Sequence, residues 1–367
     1  MSKVIPTVDG IPVVNLTGPG EEPPPEQGTD TKPLETASDV VGPPPSRFWL
    51  RMSAGWWRSL QYAGMTLHFM APERPPQPAF TKKIPTTISK SKGKIELQFY
   101  TPKGYKEGKK SGRKYPAVIN YHGGGFTIGN ATDDARFARF VLEKCDAVFV
   151  SVDYRLSPED PFPVAVEDSA DALLYLIRSS ADFNIDPLKL ATSGFSAGGN
   201  LALTAPLCLS DHLKTLQSSG TNIPYHRIRA VATWYPVTDY TISRAVKRAS
   251  CVRPDQTLPP TLTTLFDASY LFPSDLRLAN PYLSPAKATD EQLAEGIPET
   301  VIFYTCEWDM LLKEGEEFAK RLEQAPIGRD VRYKMIPGVP HAWDKSPDPT
   351  KPAAFSEDLY RKAVPAV

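Results

Sequence analysis

The chain is poor in the residues from which metal sites and disulfide frameworks are built. Its 367 residues include four cysteines, Cys145, Cys208, Cys251 and Cys306, with no CxxC pair, and five histidines, none spaced from another as metal ligands are. The scattered cysteines exclude a disulfide scaffold, and with the isolated histidines they argue against any protein-built metal site. Net charge is lacking too: 42 Lys and Arg balance 42 Asp and Glu. No global field therefore draws the chain to nucleic acid or to an anionic membrane. No apolar run approaches the roughly 18 residues of a spanning helix. The opening MSKVIPTVDG has no charged segment leading into an apolar stretch, so no secretory signal is read and a cytoplasmic location is expected.

Proline is plentiful, at 38 residues, ten of them within the first 45 positions. Proline breaks helices and sheet ladders, so residues 1–46 are expected to form an extended arm. Residues 47–70 change character, with Phe48, Trp49, Met52, Trp56, Trp57, Leu60, Met65 and Leu67 in a helical pattern. The aromatics favour a cap helix over a pocket. An interfacial membrane helix with Arg51 and Arg58 toward headgroups, or an ordinary core helix, is the less favoured alternative.

From about residue 86 a regular alternation begins. Lys94–Thr101 alternates like a half-buried strand, and 115–121 and 147–154 are apolar runs of buried strands. The basic, Gly-rich KGYKEGKKSGRK between the first two reads as a solvated hairpin loop. Further strands are expected at 188–193, 228–235, 300–305 and 331–336, with helices over 166–177, 197–208 and 314–322. Strands alternating with helices predict an α/β fold whose mostly parallel sheet is flanked by helices. Residues 241–285, rich in Pro, Leu and Tyr, interrupt the rhythm as an insertion.

The residues that carry chemistry sit at strand ends. Gly194-Phe195-Ser196-Ala197-Gly198 follows a short apolar strand and opens an Ala/Leu-rich helix. That is the context of a nucleophile elbow, which exposes the serine hydroxyl above a sheet. Upstream, His122-Gly123-Gly124-Gly125-Phe126 ends another strand. Glycines there would let N–H groups point at a developing oxyanion, with Gly123, Gly124 and Ala197 as the expected donors. A phosphate-cradling loop is the weaker alternative, because no Lys-Ser/Thr follows. A serine nucleophile needs a base and an orienting acid. His341 alone among the histidines stands in a loop after a late strand, and Asp309 follows the strand before it, with Glu307 as rival. The order Ser196, Asp309, His341 is that of α/β-hydrolases. Phe126, Phe195, Trp308 and Trp343 flank these groups and line a pocket or pack in the core.

HGGGF, DYRLSPEDPFPVAVED at 153–168, GFSAGGN, EWDMLLKEG and PHAWD, in this order, resemble the hormone-sensitive-lipase-like esterases of the α/β-hydrolase fold. Within the likeness, Phe195 stands where Asp or Thr is frequent, and Ser157 and Asp160 replace a more usual Ala and His. The resemblance implies a serine carboxylesterase acting through an acyl-enzyme, with a small-molecule ester as partner and no metal or organic cofactor. It also implies a cap built from the N-terminal segment, over 47–85, and the insertion at 241–285, set on a catalytic domain spanning 86–367. Acyl transfer or amide hydrolysis on the same triad, or a non-catalytic small-molecule receptor, are the alternatives. The oligomeric state is not written in the sequence.

Overall fold

The computed structural model describes residues 33–42, 45–71 and 74–345. Most of the expected arm, residues 1–32, lies outside the described residues. The eight strands are β1 (Phe80–Pro85), β2 (Lys94–Tyr100), β3 (Tyr115–Tyr121), β4 (Val148–Asp153), β5 (Ile185–Phe195), β6 (Ile228–Trp234), β7 (Thr300–Trp308) and β8 (Asp330–Pro340). They form one sheet in the order β1-β2-β4-β3-β5-β6-β7-β8. From β4 to β8 every pair is parallel, while β1 and β2 join antiparallel at one edge.

Side chains alternate between the two faces of each strand and feed separate clusters. Val148, Val150 and Val152 of β4 join the larger core, with α5 (Val164–Arg178), α6 (Ala197–Ser218) and α10 (Leu312–Glu323). Phe149, one residue out of phase, faces the other side, where α4 (Ala135–Cys145) supplies Phe137, Ala138 and Val141. Burial on both faces explains why the parallel strands read as continuous apolar runs.

Two sequence expectations need correction here. β2 and β3 are not a hairpin: β4 lies between them in the sheet, and the connecting basic segment carries the short helix α3 (Tyr105–Lys110). β1 also belongs to the sheet, although its residues fall inside the segment assigned to the cap. It is an edge strand in which Ile84 alone is buried, so it leaves no alternating signal.

The remaining helices gather above the carboxyl ends of the strands or on the outer rim. α1 (Ala37–Val41) is held against the insertion by Leu34 N–H to Thr241 O and Ala37 N–H to Leu276 O, both 2.9 Å. α2 (Arg47–Met70) is one continuous helix. Its Leu50 packs with Leu265 and Ala268 of α8 (Pro260–Tyr270), which lies in the insertion with α7 (Arg244–Ala249). α9 (Asp290–Gly296) closes against α6, where Gly296 meets Leu207.

Candidate active site

Three strand ends converge. β5 stops at Phe195, and α6 begins at Ala197 with Ser196 between them at φ +55° and ψ −116°. A non-glycine residue in that region is strained and needs its surroundings to hold it. Here Ser196 N–H donates to Trp234 O at 2.8 Å, and Ser196 O accepts from Asn200 N–H at 3.0 Å. The turn leaves no room for a side chain at Gly198, where a Cβ would lie 1.9 Å from the Tyr121 carbonyl.

His341 follows β8 directly and Asp309 follows β7 directly. His341 Nε2 lies 2.8 Å from Ser196 Oγ, and its Nδ1 lies 2.6 Å from Asp309 Oδ2. Both side chains are buried. The acidic partner fixes the proton on Nδ1, which leaves Nε2 to accept from the serine hydroxyl. Asp309 is itself held, with Oδ1 accepting from Leu311 N–H at 3.1 Å. Glu307 is placed elsewhere: it accepts from Gly338 N–H at 2.7 Å and so pins the turn ahead of His341.

The glycine loop runs from the end of β3 toward α4. Gly124 sits at φ +115°, where an added Cβ would be 2.2 Å from the Ile128 carbonyl. Among the described residues no hydrogen bond is formed by the N–H groups of Gly123, Gly124 or Ala197. Gly123, Gly124 and Gly125 line the same cavity as Ser196 and His341. Free N–H groups beside a nucleophile are what an oxyanion requires, and Ala197 adds the first turn of a long helix.

That cavity measures about 350 Å³ and is overwhelmingly apolar. Trp57, Leu60 and Met65 of α2 form one wall, and Leu258, Leu262 and Phe266 from the insertion form another. Phe195 also lines it. Phe126, Trp308 and Trp343, the other three aromatics expected to flank the site, do not. Phe126 stacks on Tyr270 at 3.8 Å and ties the glycine loop to α8. Trp308 lies under the Arg253 guanidinium, 5.2 Å away. Trp343 packs with the core around Phe195 and Cys306. Trp308 adjoins Asp309 at the end of β7, where neighbouring side chains point to opposite faces.

Sequence reasoning missed four polar members of the wall: Gln61, Asp133, Tyr235 and Lys345. Tyr235 Oη donates to Asp344, and its ring meets His341 edge-on at 4.7 Å. Lys345 sits over the Phe195 ring at 4.0 Å and pairs with Asp134 and Asp344 at 2.8 and 2.6 Å. Burial works against its cation, but the two carboxylates outweigh burial and hold its pKa above the ordinary value. Asp133 is buried and accepts from Gln61 Nε2 at 2.5 Å and from Asn130 N–H at 3.1 Å. Desolvation raises its pKa from 3.8 to about 6, against a smaller lowering by His122. The adjacent acids Asp133-Asp134 just after the glycine loop were the one available signal.

Arg58 joins the wall to the loop. It donates to Thr127 O and Ser157 O, each at 2.9 Å, and forks onto Glu159 at 3.2 and 2.7 Å. The headgroup role considered for Arg58 is thereby excluded, since its guanidinium is turned into the body. Among the described residues no group of three His, Cys, Asp or Glu side chains is placed to hold a metal ion.

With this geometry established, a family model described as the alpha/beta hydrolase fold matches residues 118–345. The chain belongs to this family. Its motifs place it in the hormone-sensitive-lipase-like branch. A carboxylic ester hydrolase, LipN, of Mycobacterium tuberculosis is 32% identical over 66% of this chain and 59% of its own length. An AB hydrolase superfamily protein of Schizosaccharomyces pombe is 29% identical over 62% of this chain and 63% of its own. The chain thus matches less than two thirds of the length of these two relatives. Among solved structures, the thermostable carboxylesterase EstE1 from a metagenomic library superposes with a TM-score of 0.65 at 27% identity. That superposition covers 84% of this chain and 95% of EstE1.

Proposed function

We propose that this hydrolase is a serine carboxylesterase that cleaves small carboxylic esters through an acyl-enzyme. The observation that carries the reading is the unbroken relay Asp309–His341–Ser196, with contacts of 2.6 and 2.8 Å, opening onto a cavity edged by free N–H groups. Ser196 Oγ attacks the ester carbonyl while His341 Nε2 takes its proton. The carbonyl oxygen becomes an oxyanion received by the N–H groups of Gly123, Gly124 and Ala197. His341 then passes the proton to the leaving alcohol, and water repeats the attack with the same imidazole as base. Asp309 keeps the imidazole in the required tautomer throughout. The relatives named carboxylic ester hydrolase and carboxylesterase support the same chemistry.

We read α2 and the insertion as a cap. The residues they contribute make the cavity apolar, and its volume of about 350 Å³ is at the small end for ligand pockets. Short and medium acyl chains are the substrates that fit. Purified protein should react with a fluorophosphonate at Ser196 and hydrolyse p-nitrophenyl esters with a preference for short chains. Ser196→Ala and His341→Ala should each lower kcat by several orders of magnitude, without adding when combined. A chain that takes no label and cleaves no ester in the series overturns the reading.

A further inference from the structure

The polar side chains of the cavity wall are not equally occupied. Gln61 is used at both ends: Oε1 accepts from Gly129 N–H at 3.2 Å and Nε2 donates to Asp133 Oδ2 at 2.5 Å. Tyr235 donates to Asp344, and Lys345 is held by Asp134 and Asp344. Asp133 differs. Its Oδ2 takes both of its bonds, from Gln61 and from Asn130 N–H at 3.1 Å. Its Oδ1 is closed off from bulk water and has no hydrogen-bond partner among the described residues. The residue is 6% exposed and forms part of the wall that encloses Ser196 and His341.

A buried carboxylate with one oxygen open is costly to keep. The cations around it are engaged elsewhere: Lys345 with its two carboxylates, and Arg136, in the first turn of α4, with His68 and the Ala71 carbonyl. An amide at this position would serve Gln61 and Asn130 equally well and would carry no charge. What the carboxylate adds is a charged acceptor offered to the cavity, which makes the strong kind of hydrogen bond. The occupant therefore carries a donor. An ammonium would bring three hydrogens and a charge into a cavity whose remaining wall is largely apolar and which Lys345 already lines. A hydroxyl brings one hydrogen and no charge, which matches the single open oxygen.

We propose that Asp133 is a specificity-determining residue that selects esters bearing a hydroxyl on the acyl or the alcohol chain, accepting that hydroxyl's hydrogen at Oδ1. Resting on the esterase reading, this names the substrates as short hydroxylated esters. Their hydrocarbon part lies against Trp57, Leu60 and Phe266, and their hydroxyl is directed to the polar part of the wall.

The test compares ω-hydroxyalkyl acetates with the alkyl acetates that carry methyl in place of the hydroxyl, and with the corresponding methyl ethers, over a graded series of chain lengths. Ethyl ω-hydroxyalkanoates and their methyl and methoxy counterparts repeat the comparison on the acyl side. At the chain length that reaches Asp133, on one side of the ester, kcat/KM for the hydroxyl compound should exceed that of both counterparts by about tenfold or more, chiefly through KM. In Asp133→Asn the amide oxygen stays with Gln61 and Asn130, and the NH2 takes the place of Oδ1. That group donates to an ether as readily as to a hydroxyl, so the hydroxyl-over-methoxy ratio should fall to roughly one. A residue with a structural role alone would change all three esters alike and leave the ratio where it was. No hydroxyl preference in the native chain at any length on either side overturns the proposal, and so does a ratio that survives Asp133→Asn. The same ranking should appear as Kd values for the uncleaved esters on Ser196→Ala, by calorimetry. Failure of the esterase reading thus shows as absent turnover, and failure of this proposal as an absent ranking.

Discussion

Replacing Asp133 by asparagine should stabilise the protein, by an amount that grows with pH. Its carboxyl is raised from 3.8 to about 6 because it is buried under the wall of the cavity. The folded state therefore holds this proton more tightly than the unfolded chain does. As pH rises from about 4 to above 6, the unfolded chain ionises first and folding loses ground. Above both values the full shift applies, and about 2 pK units correspond to roughly 3 kcal/mol lost at pH 8. At pH 5 the same relation leaves about 1.6 kcal/mol. Asparagine cannot ionise and keeps an oxygen to accept from Gln61 and Asn130, so it escapes this term. Urea unfolding of both proteins at the two pH values measures it. The gain from Asp133→Asn should be larger at pH 8 than at pH 5 by about 1.4 kcal/mol. A difference between the proteins that does not change with pH would refute the reasoning, since any constant effect of the new amide cancels in this comparison.

Two further outcomes follow from the contacts around the serine. Asp309→Asn should lower kcat/KM by about four orders of magnitude by favouring the wrong imidazole tautomer, whereas Glu307→Gln, whose partner is Gly338 N–H, should stay within about tenfold of the native enzyme; steady-state kinetics on one short ester decides, and the reverse ranking refutes the assignment of the acid. Arg58→Met removes the donors to Thr127 O, Ser157 O and Glu159; it should cost about 1–3 kcal/mol in denaturant unfolding and lower kcat as well as raise KM, and an unchanged kcat would show that the glycine loop holds without it.

Much of this fold is legible in the chain because buried parallel strands and their turns leave strong marks. β3 matches the apolar run 115–121 residue for residue, and the elbow was readable because the glycine positions are dictated by backbone contact rather than by taste in side chains. What stayed hidden depends on distance in sequence. Nothing local tells β2 that β4, about fifty residues on, will become its neighbour. Gln61, Asp133, Tyr235 and Lys345 come from four separate segments and acquire meaning together. The stretch 47–70 was readable as a helix, but its aromatics run almost all the way round. Composition could not say that one side would face the cavity and the other would face out.

The bond from Arg58 to the Thr127 carbonyl has a consequence for how this protein can be re-engineered or can diverge. Thr127 N–H in turn donates to the Gly124 carbonyl at 3.0 Å, so α2 reaches the glycine loop, the proposed source of oxyanion donors, in two hydrogen-bonded steps. The helix and the glycine loop are therefore a single transplantable unit. A chimera that takes α2 from a relative while keeping its own loop exchanges one half of a matched pair. It should lose turnover along with its old selectivity, and recover turnover when residues 122–129 are exchanged with it.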